Sequence, residues 1–300
     1  MAAAGQNMSK YVMVITGQIA PSETDALFGA VRLDVVIARG ELLDKSWAYE
    51  LCSPFWRLYV NRQAGAEVLI DGRRMSLRAE TVYLLPAGLR FTTRLARGVA
   101  HVWQDYAHFE VTGFPPALLR RLFPAPLTLP PAEDVAATLA AWRAGLDAGG
   151  LPQADLAQRL RSLALVHAAF ARACAQGTVE GREAWEAWLR MPPLVAPALR
   201  RIDADPEHPP GNPELATLCG LGVRQFLRRF TAAVGMSPGQ YALERRVALA
   251  ADALARGEEP IEEIAARLGF ADRFHFSKLF RRRVGVPPAA YRRLHAPRAV

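Results

Sequence analysis

Between positions 269 and 280 the chain reads GFADRFHFSKLF. If the residues from Asp272 onward form a helix, Phe276, Leu279 and Phe280 recur at i, i+3 and i+4 and turn to one side as a packing face. Arg273, Phe274, His275, Ser277, Lys278 and Arg281 are then left on the outward side. The chemistry of such a surface is non-covalent. Arg and Lys donate to guanine acceptors and to phosphate oxygens, and an apolar ring suits the methyl group of thymine. A buried helix has no use for the charges, and an ordinary solvated helix has no use for Phe274.

An earlier stretch, LGVRQFLRRFTAAVG at 221–235, has the same division. Phe226, Phe230 and Val234 turn inward, Arg224, Gln225, Arg228 and Arg229 point outward or sideways, and Leu227 fits either side. The two stretches belong to a repeat. Leu215-Ala216 and Gly220 match Ile264-Ala265 and Gly269 at an offset of 49, and Phe226, Phe230, Val234, Gly235, Pro238 and Tyr241 match Phe276, Phe280, Val284, Gly285, Pro288 and Tyr291 at an offset of 50. Each copy is a short helix, a turn at glycine, a second helix with buried aromatics, and a Gly/Pro stop, which is the pattern of a helix-turn-helix.

Residues suited to covalent chemistry are scarce. Cys52, Cys174 and Cys219 are far apart and lack CxxC spacing, so neither a disulfide framework nor a zinc module is expected. An open metal site takes about three convergent ligands. Only His101 and His108 fall in the strand-rich region, and their odd spacing sends them to opposite faces of a regular strand. No metal, cofactor or catalytic residue is therefore expected, and the chain reads as a non-enzyme. Arg57, Tyr59, Asn61, Tyr83, Trp103, Tyr106 and His108 are candidates for lining a small-molecule pocket, which needs an apolar wall with a few placed polar groups. Arg57, Tyr59 and Asn61 alternate with Trp56, Leu58 and Val60, so each triplet shares a face, but the pattern does not say which face is interior.

The elements that must position these residues follow from periodicity. From Val31 to about Gly113 short runs rich in β-branched and aromatic residues (VRLDVVIA, FWRLYVN, AEVLI, TVYLLP, VAHVWQDYAHFEV) are separated by turn signals such as Asp71-Gly72 and Pro86-Ala87-Gly88. Strands in series without helices between them predict an antiparallel sandwich or barrel. Helical spacing takes over at 132–148, 153–176 and 180–191, with an apolar stripe from Leu156 to Phe170 and the pair Trp185/Trp188. Pro192-Pro193 breaks the chain before an all-helical final third, in which Asn212 is read as the cap of the first helix, and Ser237 caps a helix to about Ala255. The expected class is thus α+β with two domains: 1–130 a β sensor, 131–192 a helical dimerising linker, and 193–300 a pair of helix-turn-helix units.

Charge placement agrees with that division. The chain has 300 residues and a net charge of +8, and from Pro193 onward it holds 17 basic against 11 acidic side chains. A polyanionic partner is favoured. The apolar run Tyr11 to Ala20 is short and interrupted, and no run reaches the ~20 residues of a membrane span, so a cytoplasmic protein without a membrane partner is expected.

The segments LATLCGL, FLRRFTAAVGMSPGQY and IEEIAARLGFADRFHFSKLFRRRVGVPPAAY resemble the twin helix-turn-helix domain of the AraC/XylS family of bacterial transcription regulators. The resemblance implies double-stranded promoter DNA as partner, with Arg224, Leu227 and Arg228 in the first unit and Arg273, Phe274 and Lys278 in the second at base-facing positions. Leu227 departs from the usual polar residue, and Pro287 from the usual capping serine. The segments RLYVN, AGAEVLIDGRR and TVYLLPAG are similar to the family's cupin-like sensors, which implies a small-molecule effector, a homodimer, and contact with RNA polymerase if the protein activates; the alternatives are a β domain that only dimerises or binds a protein partner and, behind it, a cupin enzyme fused to a DNA-binding domain.

Overall fold

The computed structural model describes residues 32–52, 54–129, 132–149, 155–190, 194–257 and 259–295. The expected run Tyr11 to Ala20 lies outside them. The N-terminal half holds β1 (Arg32–Leu43), β2 (Glu50–Cys52), β3 (Trp56–Asn61), β4 (Ala66–Ile70), β5 (Arg73–Leu77), β6 (Val82–Leu85), β7 (Arg90–Leu95), β8 (Val102–Thr112) and β9 (Leu127–Leu129). They form two sheets, ordered β1-β8-β3-β6-β9 and β2-β7-β4-β5, with antiparallel ladders throughout. This is the antiparallel sandwich expected from the strand series.

The period of two along β3 and β8 splits the five-stranded sheet into two buried faces. On the inner face Tyr59, Tyr83, Leu85 and Tyr106 meet Val68 and Phe91 of the second sheet. On the outer face Trp56, Leu58, Val60 and Phe109 are covered by helices. Helices α1 (Pro116–Leu122), α2 (Glu133–Asp147), α3 (Leu156–Ala175) and α4 (Val179–Arg190) follow or bracket β9. Trp142 of α2 and Leu165, Val166, Ala169 and Phe170 of α3 belong to the same core as the outer face. Trp56 stands edge-on to Phe170 at 5.3 Å.

The apolar stripe of α3 is therefore divided. Its C-terminal part is buried in the chain, while Leu156 and Leu160 are 72% and 57% exposed. Trp185 packs its ring on Phe114 at 4.9 Å, and the side chain of Trp188 lies outside the described set.

Among the described residues seven helices follow: α5 (Ala196–Ala204), α6 (Asn212–Leu218), α7 (Val223–Val234), α8 (Pro238–Arg256), α9 (Ile261–Arg267), α10 (Arg273–Val284) and α11 (Pro288–His295). Helix α6 takes Gly211 as its cap, with Asn212 already in the first turn, one residue earlier than the sequence reading. Ser237 caps α8 as expected, in a reciprocal capping box with Gln240. The two units have separate cores. Phe226, Phe230 and Val234 pack with Ile202, Leu215 and Tyr241. Phe276, Phe280 and Val284 pack with Ile264, Leu268 and Tyr291, and this second core also takes in Val36 and Phe55 of the β half.

Candidate nucleic-acid interface and interior cavity

The second helix of each unit starts for a local reason. Gly220 and Gly269 adopt positive φ, a conformation that suits glycine and turns the chain out of α6 and α9. Asp272 then accepts from the His275 backbone N–H at 2.7 Å and caps α10, whereas α7 begins at Gly222 with no side-chain cap. With three inward residues buried completely in each helix, rotation about the axis is fixed.

That rotation decides which side chains are free. On α10, Arg273, Phe274, His275, Lys278 and Arg281 are exposed, and Ser277 is half-buried beside them. Phe274 is 84% exposed, the most exposed large hydrophobic residue among those described. On α7, Arg224, Gln225 and Arg228 are exposed, Arg229 is half-buried with its Nε unpartnered, and Leu227 leans partly into the core. Both faces point away from the contacts that hold the units to the rest of the chain. Gly235, at the end of α7, sits on Ala117 of α1, and Gly285, at the end of α10, sits on the backbone of Glu50 and Cys52 in β2. Between the units α8 runs for 19 residues, about 28 Å at 1.5 Å per residue.

The candidate pocket residues are placed as follows. Arg57, Tyr59 and Asn61 of β3 lie across from His108, Tyr106 and Gln104 of β8, all on the interior face of the sandwich. Tyr83 of β6 lies next to Tyr59. Trp103 has the opposite parity and stands on the other side of the sheet, its Nε1 donating to Asp105 at 3.0 Å beneath Arg62. Asn61 and Tyr83 are occupied by the fold: Asn61 accepts from Gln104 at 3.0 Å, and the Tyr83 hydroxyl accepts from the Arg78 backbone N–H at 2.9 Å. Arg57, Tyr59, Tyr106 and His108 line a cavity of about 40 Å³ that also touches Leu294 and His295 of α11.

Burial sets the protonation of this cavity. It pushes the Tyr106 hydroxyl well above its ordinary value, and it holds His108 and His295 well below the ordinary imidazole value, with Arg57 and Arg39 adding to the effect. Sequence reading missed His295, because a histidine at the end of the chain's last helix shows nothing of the strand it packs against. A second, larger cleft of about 400 Å³ lies between β8, α1 and α8, bordered by Glu110, Arg120, Glu244 and Arg245. Beside it Arg245 bridges Glu110 of β8 and Asp203 of α5, each at 3.0 Å. Among the described residues no cluster of three or more His, Cys, Asp or Glu side chains is disposed to hold a metal ion.

Two helix-turn-helix units with bared second helices, carried behind a β-sandwich, define a DNA-binding regulator. Residues 215–294 match the family model described as a helix-turn-helix domain. A putative AraC-like transcription regulator of Streptomyces antibioticus is 26% identical over 87% of this chain and 80% of its own length. Another, from Streptomyces lividans, is 28% identical over 74% of this chain and 67% of its own. The fold is that of ToxT from Vibrio cholerae, solved with an unsaturated fatty acid bound, which covers 90% of this chain and 98% of its own at 14% identity and a TM-score of 0.50. Over most of its length the chain is thus similar to AraC-like transcription regulators, and its residues 215–294 carry the helix-turn-helix domain.

Proposed function

We propose that α7 and α10 enter successive major grooves on one side of the duplex and read sequence there. The observation that carries this is the bared face on each helix, above all Phe274, an aromatic ring with no packing role in the chain. Arg224, Gln225, Arg228 and Arg229 act in one groove, with Leu227 offering an apolar edge. Arg273, Phe274, His275, Ser277, Lys278 and Arg281 act in the other. A rod of about 28 Å is near the ~34 Å rise of one DNA turn, so α8 sets the half-site spacing.

The regulator takes a small-molecule effector inside the sandwich, where Arg57, Tyr59, Tyr106 and His108 meet, and performs no catalysis. It forms a homodimer through the exposed end of α3, where Leu156 and Leu160 lie one turn apart. Among the described residues no helix is long and apolar enough to cross a membrane, which supports action in the cytoplasm. If it activates, RNA polymerase is its further partner.

The test is selection of the full-length chain against a random duplex library. The expected result is a site with two short blocks about one helical turn apart, bound with an affinity that falls steeply with salt. Recovery of no common sequence, or of one block alone, overturns the two-groove reading.

A further inference from the structure

The cavity under α11 contains a cation with no carboxylate bonded to it among the described residues. Arg57 is 3% exposed and its Nη1 donates to Tyr59 at 2.9 Å, but among the described residues Nε and Nη2 have no hydrogen-bond partner. Those two groups form one edge of the guanidinium, the edge that meets both oxygens of a carboxylate. Phe91 of the opposite sheet lies under the cation at 5.4 Å and fixes its plane. Two histidines close the space: His108, 1% exposed, and His295, 6% exposed, with ring centroids 5.2 Å apart. His108 Nδ1, His295 Nε2 and the Tyr291 hydroxyl are likewise buried without partners.

The acid that lines the cavity, Glu41, is engaged elsewhere. It faces Arg39 at 3.6 Å and accepts from the Tyr106 hydroxyl at 3.4 Å, while Arg39 also donates to the carbonyl oxygen of His295. Asp252 of α8 acts electrostatically on Tyr291. A buried charge in a folded protein is ordinarily paired. The repeat supplies an internal control. Arg245 in the first unit stands where His295 stands in the second, and Tyr241 where Tyr291 stands, at the same offset of 50. In the first unit Glu110 and Asp203 answer the arginine and Asp203 accepts from Tyr241 at 2.8 Å. In the second unit, among the described residues, neither the Tyr291 hydroxyl nor His295 Nε2 has a hydrogen-bond partner, and His295 lines the cavity beside Arg57.

We propose that this space binds the carboxylate of a small organic acid, gripped by the Nε and Nη2 edge of Arg57 and flanked by His108 and His295. The inference rests on the effector reading and names the effector's class. About 40 Å³ holds two or three water-sized volumes, enough for a carboxylate and a short carbon stub but not for a long acyl chain. Leu43, Trp47, Leu51 and Leu294 supply an apolar rim for that stub. Because His295 belongs to α11, the acid ties the second helix-turn-helix unit to the sandwich. Its negative charge favours the imidazolium forms, so binding takes up protons.

The experiment is titration calorimetry of the full-length chain with sodium formate, acetate and octanoate against sodium chloride, at about pH 7.5 and about pH 6. Acetate should bind more tightly at the lower pH, by up to about tenfold per pH unit for each proton taken up. The apparent enthalpy should vary with the buffer's ionisation enthalpy, as proton uptake requires. Arg57→Met should fold and lose acetate binding, and His295→Gln should keep binding but lose part of the pH dependence. Acetate heats no different from chloride, or an unchanged affinity in both variants, would overturn the site. If Arg57→Met does not fold, His295→Gln decides: unchanged proton uptake sinks the proposal. Octanoate binding as tightly as acetate shows that the short-stub assignment is wrong. DNA affinity measured with and without acetate separates the two claims, since acetate that binds without altering DNA affinity leaves the site standing and removes its role as effector.

Discussion

The two helix-turn-helix units bury the same positions and differ in what they do with charge. Phe226 and Phe276, Phe230 and Phe280, and Val234 and Val284 are all fully buried at the same offset. Outside that frame the copies diverge. At equivalent sites one unit carries Arg224, Leu227 and Arg228, the other Phe274, Ser277 and Lys278. Where each unit meets the β half, one has an arginine held by two carboxylates and the other a histidine facing an unpaired arginine. A fold can be copied by keeping its core, while its recognition face and its attachment to a sensor are set independently.

Arg245→Ala tests the paired attachment and should have the largest effect. It leaves Glu110 buried and unmatched, and half-buried Asp203 with only the Tyr241 hydroxyl, a loss of about 3–5 kcal/mol when one partner of a buried ion pair is removed. Thermal melting of the full chain checks it. A cost below about 1 kcal/mol would mean that water already solvates both acids and that the contrast between the attachments is false.

The unpaired attachment should show itself in acid. His108 and His295 have folded-state pKa values depressed by burial, so the unfolded chain takes up protons first. Stability is then complete above the ordinary imidazole value near 6.5 and falls as pH drops below it, by up to about 1.4 kcal/mol per pH unit for each histidine. Without organic acid, denaturant midpoints measured from about pH 7.5 to 5.5 should give that slope. His108→Gln or His295→Gln should remove about half of it. A flat profile would show that the imidazoles are solvated.

The recognition faces come next in size. Lys278→Ala should leave melting unchanged and cost about 1–3 kcal/mol in discrimination between the selected site and a scrambled one. Uniform weakening on both, with a salt slope smaller by about one, assigns Lys278 to phosphate instead. The same comparison at Arg228 tells whether the two units share the reading of bases or divide it.

Much of this was legible before the fold. Helical period, glycine turns and an offset repeat place α7 and α10 and their inward residues, because each rests on contacts within a few turns of chain. The sandwich was legible as a class, yet β5 and β7 were not separated as strands. Their RRMSL and RFTTRL sequences hold Arg and Ser or Thr on one side, so the alternation is not apolar enough to stand out. Which face of β3 lines the cavity depends on what covers the other one, and α3 lies about a hundred residues downstream. His295 required the packing of the last helix against β8, a contact with no local trace.

The smallest prediction concerns the start of each second helix. Asp272 caps α10 with a carboxylate, which also suits the positive end of the helix, while Gly222 leaves α7 to its backbone. Asp272→Ala should cost about 1 kcal/mol. Gly222 has φ −69°, ψ 149° and nothing near the position of an added Cβ, so a side chain fits there without strain. Gly222→Asp should therefore stabilise the first unit, by only a few tenths of a kcal/mol because glycine is itself an acceptable cap. Its carboxylate also places a negative charge at the end of α7 that carries Arg224 and Gln225. The gain in melting temperature should come with weaker DNA binding that recovers little in salt, since like-charge repulsion from phosphate is short-ranged there. Equal stabilisation with unchanged DNA affinity would place the start of α7 away from the phosphate backbone, and the two units would then dock at different depths in their grooves.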